Sequence, residues 1–193
     1  MLRSLPARFR YTRERARLLA RLPRGSVGAE IGVWKGDFSA RLLDAVRPSR
    51  LHLIDPWRFE ETGYERAWYG GALAKSQADM DAIHDSVLLR FAAEIATGTV
   101  VVHRATSADA AASLADSSLD WAYIDGNHLY DFVRGDLEAF APKLRTGGLL
   151  AGDDYGSQGW WEDGVRRAVD EFVPRDDFEP VLLGSQFLLR RTG

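Results

Sequence analysis

The chain has 193 residues, of which 46% are hydrophobic and 27% are charged, and its net charge is −3. This composition is typical of one globular domain with a full core and shows no bias toward nucleic acid. The sequence has no cysteine, which excludes disulfides, thiolate nucleophiles and cysteine-based zinc sites, so a cytoplasmic location is the simplest expectation. No apolar run reaches the roughly 18 residues of a membrane span, and the first residues do not match a secretory signal.

The N-terminal segment, residues 1–25, is rich in arginine and is predicted to form a basic helix. Leu18, Leu19 and Leu22 make an apolar stripe at helical spacing, which Pro23 ends. We expect this helix to dock on the rest of the domain. The alternative is a basic arm for an acidic partner or substrate.

From residue 27 onward, strand and helix patterns alternate. The predicted strands cover 27–33, 51–54, 99–103, 119–124 and 149–152, and the predicted helices cover 37–46, 107–115, 130–143 and 162–173. Two last strands, 178–183 and 187–190, are joined through Gly184-Ser185, which suits an antiparallel hairpin because parallel strands need a crossover. The sequence therefore predicts a three-layer α/β fold with a mostly parallel sheet.

Local signals predict two helix boundaries. Ser107 is expected to cap the start of the helix over 107–115, with Asp109 in its first turn. The run Thr146-Gly147-Gly148 is expected to end the helix over 130–143.

Residues 57–97 interrupt the alternation because they are too long for one crossover helix. We expect a lid or substrate-binding insertion within a single domain that spans 1–193, and the alternative is a longer helical layer. A helical stretch is predicted near 75–96, and it follows a group of aromatic and glycine residues: Trp57, Tyr64, Trp68, Tyr69, Gly70 and Gly71.

Acidic and glycine residues follow three predicted parallel strands at the point where each strand ends. The segments are Glu30-Ile31-Gly32, Asp125-Gly126 and Gly152-Asp153-Asp154. The carboxyl ends of parallel strands meet at one edge of a sheet, where ligands bind in open α/β folds. The sequence therefore predicts a small-molecule enzyme whose site lies in this crevice.

The first of these segments indicates a nucleoside-type ligand. Gly32 and Gly36 flank a strand-to-helix turn, where a ligand can approach the backbone closely. The dinucleotide pattern G-x-G-x-x-G does not match, because Gly28, Gly32 and Gly36 are spaced by four. Glu30 would favour a cationic amino group and repel phosphate. Asp55 ends the second strand, where a carboxylate can accept both ribose hydroxyls.

Three carboxylates at the ends of the fourth and fifth strands indicate a metal. Asp125, Asp153 and Asp154 would face one pocket, which is costly unless a cation or proton neutralises them. Hard oxygen ligands suit Mg²⁺ or Ca²⁺ better than zinc or copper. We expect Mg²⁺ bound by these three residues, and for Asp153 and Asp154 the alternative is helix capping and loop solvation.

Three segments together match one known superfamily. They are Glu30–Gly36, Leu53–Trp57 and Pro142–Gly148, the last with Thr146 where proline is usual. Over residues 27–191 the chain resembles the class I S-adenosylmethionine-dependent methyltransferases. This resemblance implies a Rossmann-like seven-stranded sheet with a reversed final strand. It also implies S-adenosylmethionine as cofactor, with these residues at its site: Glu30, Gly32, Gly36, Asp55, Thr106, Ser107 and Asp125.

The strand-end acids are similar to the metal ligands of divalent-metal O-methyltransferases, both the catechol type and the macrocin or sugar type. Asp125–Tyr130 resembles a D-x-D-H-x-Y segment, with Asn127 in place of the second acid. His128 is the nearest replacement as general base, because imidazole titrates near neutrality, and the alternative is a structural hydrogen bond that stabilises the start of the helix. Gly152–Tyr155 resembles G-H-D-Y with an acid in place of histidine, which favours metal binding.

The expected function is S-adenosylmethionine-dependent O-methylation of a small hydroxylated molecule of the sugar, aryl or natural-product type. A metal would lower the pKa of the acceptor hydroxyl, whose oxygen attacks the sulfonium methyl in line. The alternatives are a metal-independent O- or N-methyltransferase with His128 or Asp125 as base, and a non-catalytic cofactor-binding protein.

Nucleic acid is disfavoured as a substrate, and a homodimer through the basic helix or the insertion is a hypothesis. Tyr155, Trp160 and Trp161 are expected to stack on an acceptor ring or to join the core.

Overall fold

The computed structural model describes residues 7–59, 74–157, 159, 161–174 and 177–193, with side chains described from residue 13 onward. The strands are β1 (Val27–Ile31), β2 (Arg50–Asp55), β3 (Val100–Arg104), β4 (Leu119–Ile124), β5 (Leu144–Gly152), β6 (Phe178–Leu183) and β7 (Phe187–Arg191). The helices are α1 (Ala7–Leu19), α2 (Asp37–Val46), α3 (Gln77–Arg90), α4 (Ala92–Ala96), α5 (Ser107–Ser113), α6 (Tyr130–Phe140) and α7 (Gly164–Phe172). Tyr64, Trp68, Tyr69, Gly70, Gly71 and Trp160 lie outside the described residues.

The seven strands form one sheet in the order β3-β2-β1-β4-β5-β7-β6. All neighbouring pairs from β3 to β5 are parallel, whereas β7 runs antiparallel to both β5 and β6. The predicted mostly parallel sheet with an antiparallel C-terminal hairpin is therefore confirmed. Because β1 lies between β2 and β4, the ends of these central strands adjoin one another.

Helices cover both faces of this sheet, and the strand side chains alternate between two cores. In β4, Trp121 and Tyr123 join the core that contains Leu18 of α1 and Phe38 of α2. Ala122 and Ile124 point the other way, into the core under α5, α6 and α7. Strands buried on both faces read as continuous hydrophobic runs, which is why the central strands were readable from the sequence.

Helix α2 shows why the segment after β1 folds as predicted. Its buried side chains are Phe38, Ser39, Leu42 and Val46, which recur at the spacing of one helical face. Gly36 precedes the helix with φ of 76°, a left-handed conformation that favours glycine.

Two predicted helix boundaries are wrong. Thr106, not Ser107, caps α5, since its hydroxyl accepts a hydrogen bond from the Asp109 N–H at 3.2 Å. The run 146–148 does not end α6, because that helix ends at Phe140 and a 3₁₀ turn, Ala141–Lys143, follows it. The run instead belongs to β5, where the pairing with β4 shifts register between Leu119 and Trp121.

None of the helices that the structure describes is long and apolar enough to cross a membrane.

Candidate active site

Hydrogen bonds to Asp55 hold the β1–α2 turn against the end of β2. Its Oδ2 accepts the N–H groups of Val33 at 3.0 Å and Trp34 at 2.9 Å, and its Oδ1 accepts that of Trp57 at 2.8 Å. The residue is 1% exposed, and burial raises the pKa of its carboxyl against the opposing effect of these three bonds. Asp55 therefore lies at the predicted crevice, with both oxygens engaged by backbone donors.

The two glycines of this turn are required by packing and by their backbone conformation. Gly32 has φ of +90°, and a Cβ at this position would overlap the backbone oxygen of Asp125. Gly36 has φ of +76°, and a Cβ there would lie 2.6 Å from the ring of Phe91. Neither position can hold an ordinary side chain without moving its neighbours.

Glu30, the acid of the same segment, is almost fully buried at the middle of the sheet. The Ser39 hydroxyl of α2 donates to its Oε2 at 2.5 Å. Burial raises the pKa of Glu30 to about 8, the Ser39 bond opposes this, and the charge of Asp125 adds to the increase. Glu30 therefore holds its proton more strongly than an exposed glutamate does.

Thr106 and Ser107 follow β3, two strands away from β1 in the sheet. The Ser107 hydroxyl donates to the Oδ1 of Asp136 on α6. Asp136 is buried, and burial raises the pKa of its carboxyl to about 6. Asp136 therefore connects the start of α5, which follows β3, with α6, which follows β4. The sequence did not single out Asp136, because its helical position resembles any polar residue of α6.

Three predicted site residues converge where β4 and β5 end. The Nε2 of His128 lies 2.8 Å from the Oδ2 of Asp154 and 3.8 Å from the Oδ1 of Asp125. One ligand atom from each residue falls within 4.8 Å of the other two. This spacing is compatible with a single bound metal ion.

The charged groups of this cluster shift one another's pKa values. Burial raises the pKa of Asp125 to about 7, and the nearby carboxylate of Asp153 adds to the increase. Burial opposes the charged forms of His128 and Asp154, but their mutual contact outweighs it. The pKa of His128 is consequently raised and that of Asp154 is lowered.

Asp153, the third predicted metal ligand, lies beside Asp125, and both of its carboxylate oxygens accept hydrogen bonds from other side chains. Arg15 of α1 donates to its Oδ2, and the same Nη2 donates to the Oδ2 of Asp125 at 2.7 Å. The other oxygen of Asp153 accepts from the Gln186 Nε2 at 3.2 Å, which also donates to the Tyr123 hydroxyl at 3.0 Å. Arg15 is a site residue that the sequence did not single out, because it is one of many arginines near the N-terminus.

Of the predicted aromatic residues, Trp161 borders the cluster. The ring of Trp161 lies 4.6 Å from that of His128, measured between centroids. Tyr155 and Trp161 are both partly buried against the core under α6 and α7. Each therefore combines a packing role with a place near the end of β5.

The strand order and the convergence of acids and glycines at strand ends define a class I methyltransferase fold. The model of the methyltransferase domain family matches residues 29–155, more than half of the chain. The chain belongs to this methyltransferase domain family, which confirms the resemblance that the three sequence segments carry. None of the curated proteins matches the chain.

Solved structures of other methyltransferases share this fold. The O-methyltransferase NovP is 20% identical, with 93% of this chain and 80% of that chain covered and a TM-score of 0.65. The O-methyltransferase TomG from Streptomyces achromogenes, in complex with S-adenosylmethionine, is 20% identical, with coverages of 98% and 82% and a TM-score of 0.63. The 1,6-didemethyltoxoflavin-N1-methyltransferase of Burkholderia thailandensis is 16% identical, with coverages of 92% and 76% and a TM-score of 0.58.

Proposed function

We propose that this methyltransferase transfers the methyl group of S-adenosylmethionine to an oxygen of a small hydroxylated molecule, with the help of a divalent metal ion. The observation that carries the proposal is the convergence of Asp125, His128 and Asp154 at the ends of β4 and β5. The O-methyltransferases NovP and TomG share the fold, and TomG was solved with S-adenosylmethionine. These likenesses support the choice of cofactor and of oxygen as the methylated atom.

The donor chemistry of the crevice fits S-adenosylmethionine. The cofactor carries a cationic sulfonium and an amino group, and Glu30 and Asp125 present carboxyls at neighbouring strand ends. The β1–α2 turn, with Gly32 and Gly36, would lie against the cofactor, as would Asp55 at the end of β2. Thr106 and Ser107 would approach the adenine from the end of β3.

The donor set at the ends of β4 and β5 also fits a divalent metal. Asp125 and Asp154 would hold it, and Asp153 and His128 are the candidates for a further ligand. Carboxylates are the preferred ligands of Mg²⁺ and Mn²⁺, and imidazole is a common ligand of first-row transition ions. When bound, such an ion would neutralise the carboxylates and lower the pKa of a nearby acceptor hydroxyl.

The chain itself contributes mainly position and protection from water. The ring of Trp161 packs against that of His128. Trp57, at the start of the 57–97 segment, is buried, and its Nε1 donates to the Trp34 carbonyl at 2.9 Å. We infer that residues 57–97 form the acceptor-binding insertion of a single domain and are anchored at this point to the cofactor turn.

A metal-independent mechanism is favoured by one specific contact. The carboxylate of Asp154 lies 2.8 Å from the His128 Nε2, and it would stabilise a protonated imidazole. In this alternative, His128 accepts the proton of the acceptor hydroxyl as the oxygen attacks the methyl group. The two mechanisms share the cofactor site and differ in their need for a cation.

Titration of S-adenosylhomocysteine by calorimetry, with and without Mg²⁺, tests the proposal on the wild type and on Asp154→Asn. Asp116→Asn is the matched control, because this aspartate is exposed and precedes β4, at the opposite end of that strand from Asp125. We expect product binding to all three proteins and a magnesium heat that only Asp154→Asn loses. A catechol is added as acceptor if Mg²⁺ gives no heat alone.

Each outcome of that titration decides one part of the proposal. Product binding without a metal signal, even with catechol present, would contradict metal assistance and favour His128 as base. Absence of product binding would contradict the cofactor assignment.

A further inference from the structure

The two oxygens of Asp125 face two different cationic partners. Oδ2 accepts from the Nη2 of Arg15 at 2.7 Å, whereas Oδ1 faces the Nε2 of His128 at 3.8 Å. Asp125 therefore divides the acidic crevice into two cation positions. The inner position lies between Asp125 and Asp153 and holds the guanidinium of Arg15. The outer position lies among Asp125, His128 and Asp154.

The inner position is built to retain Arg15. Its side chain is 15% exposed, and the guanidinium carbon lies 4.7 Å from the centroid of the Phe38 ring. That ring in turn packs on Tyr123, at 4.4 Å between centroids. An arginine cannot be deprotonated in a protein, and a guanidinium that stacks on an aromatic ring while it binds carboxylates is strongly held. Arg15 is therefore a permanent positive charge in the crevice.

Packing of α1 also holds Arg15 in place. Leu18 and Leu19 are buried in the core, and Glu14 accepts hydrogen bonds from both the backbone N–H and the hydroxyl of Ser185. Ser185 lies in the turn that joins β6 to β7, and the next residue, Gln186, donates a hydrogen bond to Asp153. Glu14 thus binds α1 to the β6–β7 hairpin, and Arg15, the next residue, binds it to Asp125 and Asp153.

We propose that Arg15 determines the metal specificity of this site by withholding Asp153 from the metal. The divalent ion is then held by Asp125, His128 and Asp154, two carboxylates and one imidazole instead of three carboxylates. This inference rests on the proposed function, since it concerns the ligands of the proposed metal. Imidazole suits first-row transition ions better than the hard Mg²⁺, so Arg15 biases the site away from Mg²⁺ and toward a transition ion such as Mn²⁺.

Arg15→Gln tests the proposal, because the variant removes the charge and frees Asp153 to bind metal. The affinities for Mn²⁺ and for Mg²⁺ are measured by calorimetry with S-adenosylhomocysteine present. Loss of a positive charge strengthens the binding of both ions, so the ratio of the two affinities is the informative quantity. We expect the variant to gain about tenfold more affinity for Mg²⁺ than for Mn²⁺, because it regains a carboxylate ligand. Arg17→Gln, at an exposed position of the same helix, should leave the ratio unchanged.

Pulsed electron paramagnetic resonance of bound Mn²⁺ reads the ligand set directly, even if Arg15→Gln fails to fold. The wild type should show coupling to an imidazole nitrogen, and His128→Ala should lose it. Wild-type Mn²⁺ without nitrogen coupling, or an unchanged affinity ratio in a folded Arg15→Gln, would overturn this inference and leave the metal site standing. If neither protein binds either ion, the metal assistance under the proposed function fails together with the inference.

Discussion

The Nδ1 of His52 lies 2.9 Å from the Nε2 of His103, so two imidazoles on the neighbouring strands β2 and β3 face each other across one hydrogen bond. His52 is 8% exposed. Burial lowers the pKa of His52 to about 4, and the charges of His103 and Arg50 act in the same direction. Burial also lowers the pKa of His103. The pair is therefore neutral in the folded protein near neutrality.

This pair should make the fold sensitive to acid. The folded pKa of His52 lies below the unfolded value of 6.5, so between those two values the unfolded chain binds a proton that the folded chain does not. The free energy of unfolding should therefore fall as pH decreases from about 6.5 to about 4, by up to roughly 3 kcal/mol from this group. Urea unfolding of wild type and His52→Gln at pH 7, 6, 5 and 4.5 measures it. The difference between the two proteins should shrink toward low pH, and a constant difference would contradict the prediction.

Glu30 should have the opposite effect on stability. Its folded pKa of about 8 lies above the usual glutamate value of 4.5, so between these values the folded chain holds a proton that the unfolded chain releases. The free energy of unfolding should fall as pH rises through this window. Glu30→Gln keeps an acceptor for Ser39 and removes the titration, so the variant should gain stability relative to wild type between pH 5 and pH 8.5.

The control for this experiment is Glu179→Gln, an exposed glutamate of β6 that pairs with Arg190. This variant should follow the wild-type dependence on pH. Thermal unfolding at four pH values suffices for the comparison. A Glu30→Gln protein whose stability tracks that of the wild type at every pH would show that Glu30 is ionised in the fold.

The strand-end pattern is the part of the site that the sequence predicts well. In β1, β4 and β5, an apolar run ends in an acid or glycine, and a parallel sheet necessarily brings such ends to one edge. The bounds of α2 were predicted without error, because Gly36 precedes an amphipathic face of period 3.6. Each of these signals is local, because it lies within one strand or helix and the turn beside it.

Contacts between distant segments could not be predicted in the same way. Arg15 and Asp125 are separated by 110 positions, and nothing local distinguishes Arg15 from the other arginines of its helix. Asp154 joins His128 while Asp153 turns to Arg15, although the two aspartates are adjacent and identical. The start of β5 was missed because Gly147 and Gly148 are typical of a turn, whereas pairing with β4 overrides that preference.

Asp55→Asn should cost stability as well as cofactor affinity. An asparagine offers one acceptor oxygen, but the carboxylate of Asp55 satisfies three backbone N–H donors with two oxygens. At least one buried donor would lose its partner, which costs about 1–3 kcal/mol. Denaturant unfolding and S-adenosylhomocysteine titration are both required. Weaker product binding with unchanged stability would mean that the oxygens of Asp55 are free for ribose and do not hold the turn.

Gly32→Ala should prevent the folding of the β1–α2 turn. Comparison with Gly98→Ala separates the cost of the backbone conformation from the cost of steric overlap. Both glycines have a positive φ, of +90° and +74° respectively, so alanine carries a backbone penalty at either position. At Gly98, between α4 and β3, no atom lies within 4 Å of the added Cβ, so only that penalty of about 1–2 kcal/mol applies. At Gly32 the Cβ would also overlap the backbone of Asp125 and push β1 away from the end of β4.

Thermal unfolding and S-adenosylhomocysteine binding distinguish the two variants. Gly98→Ala should lower the melting temperature by a few degrees and bind the product with wild-type affinity. Gly32→Ala should be insoluble or melt far lower, with no measurable binding in any folded fraction. Equal melting temperatures for the two variants would show that the end of β4 can move aside. In that case the requirement for glycine at position 32 would come from its backbone conformation alone.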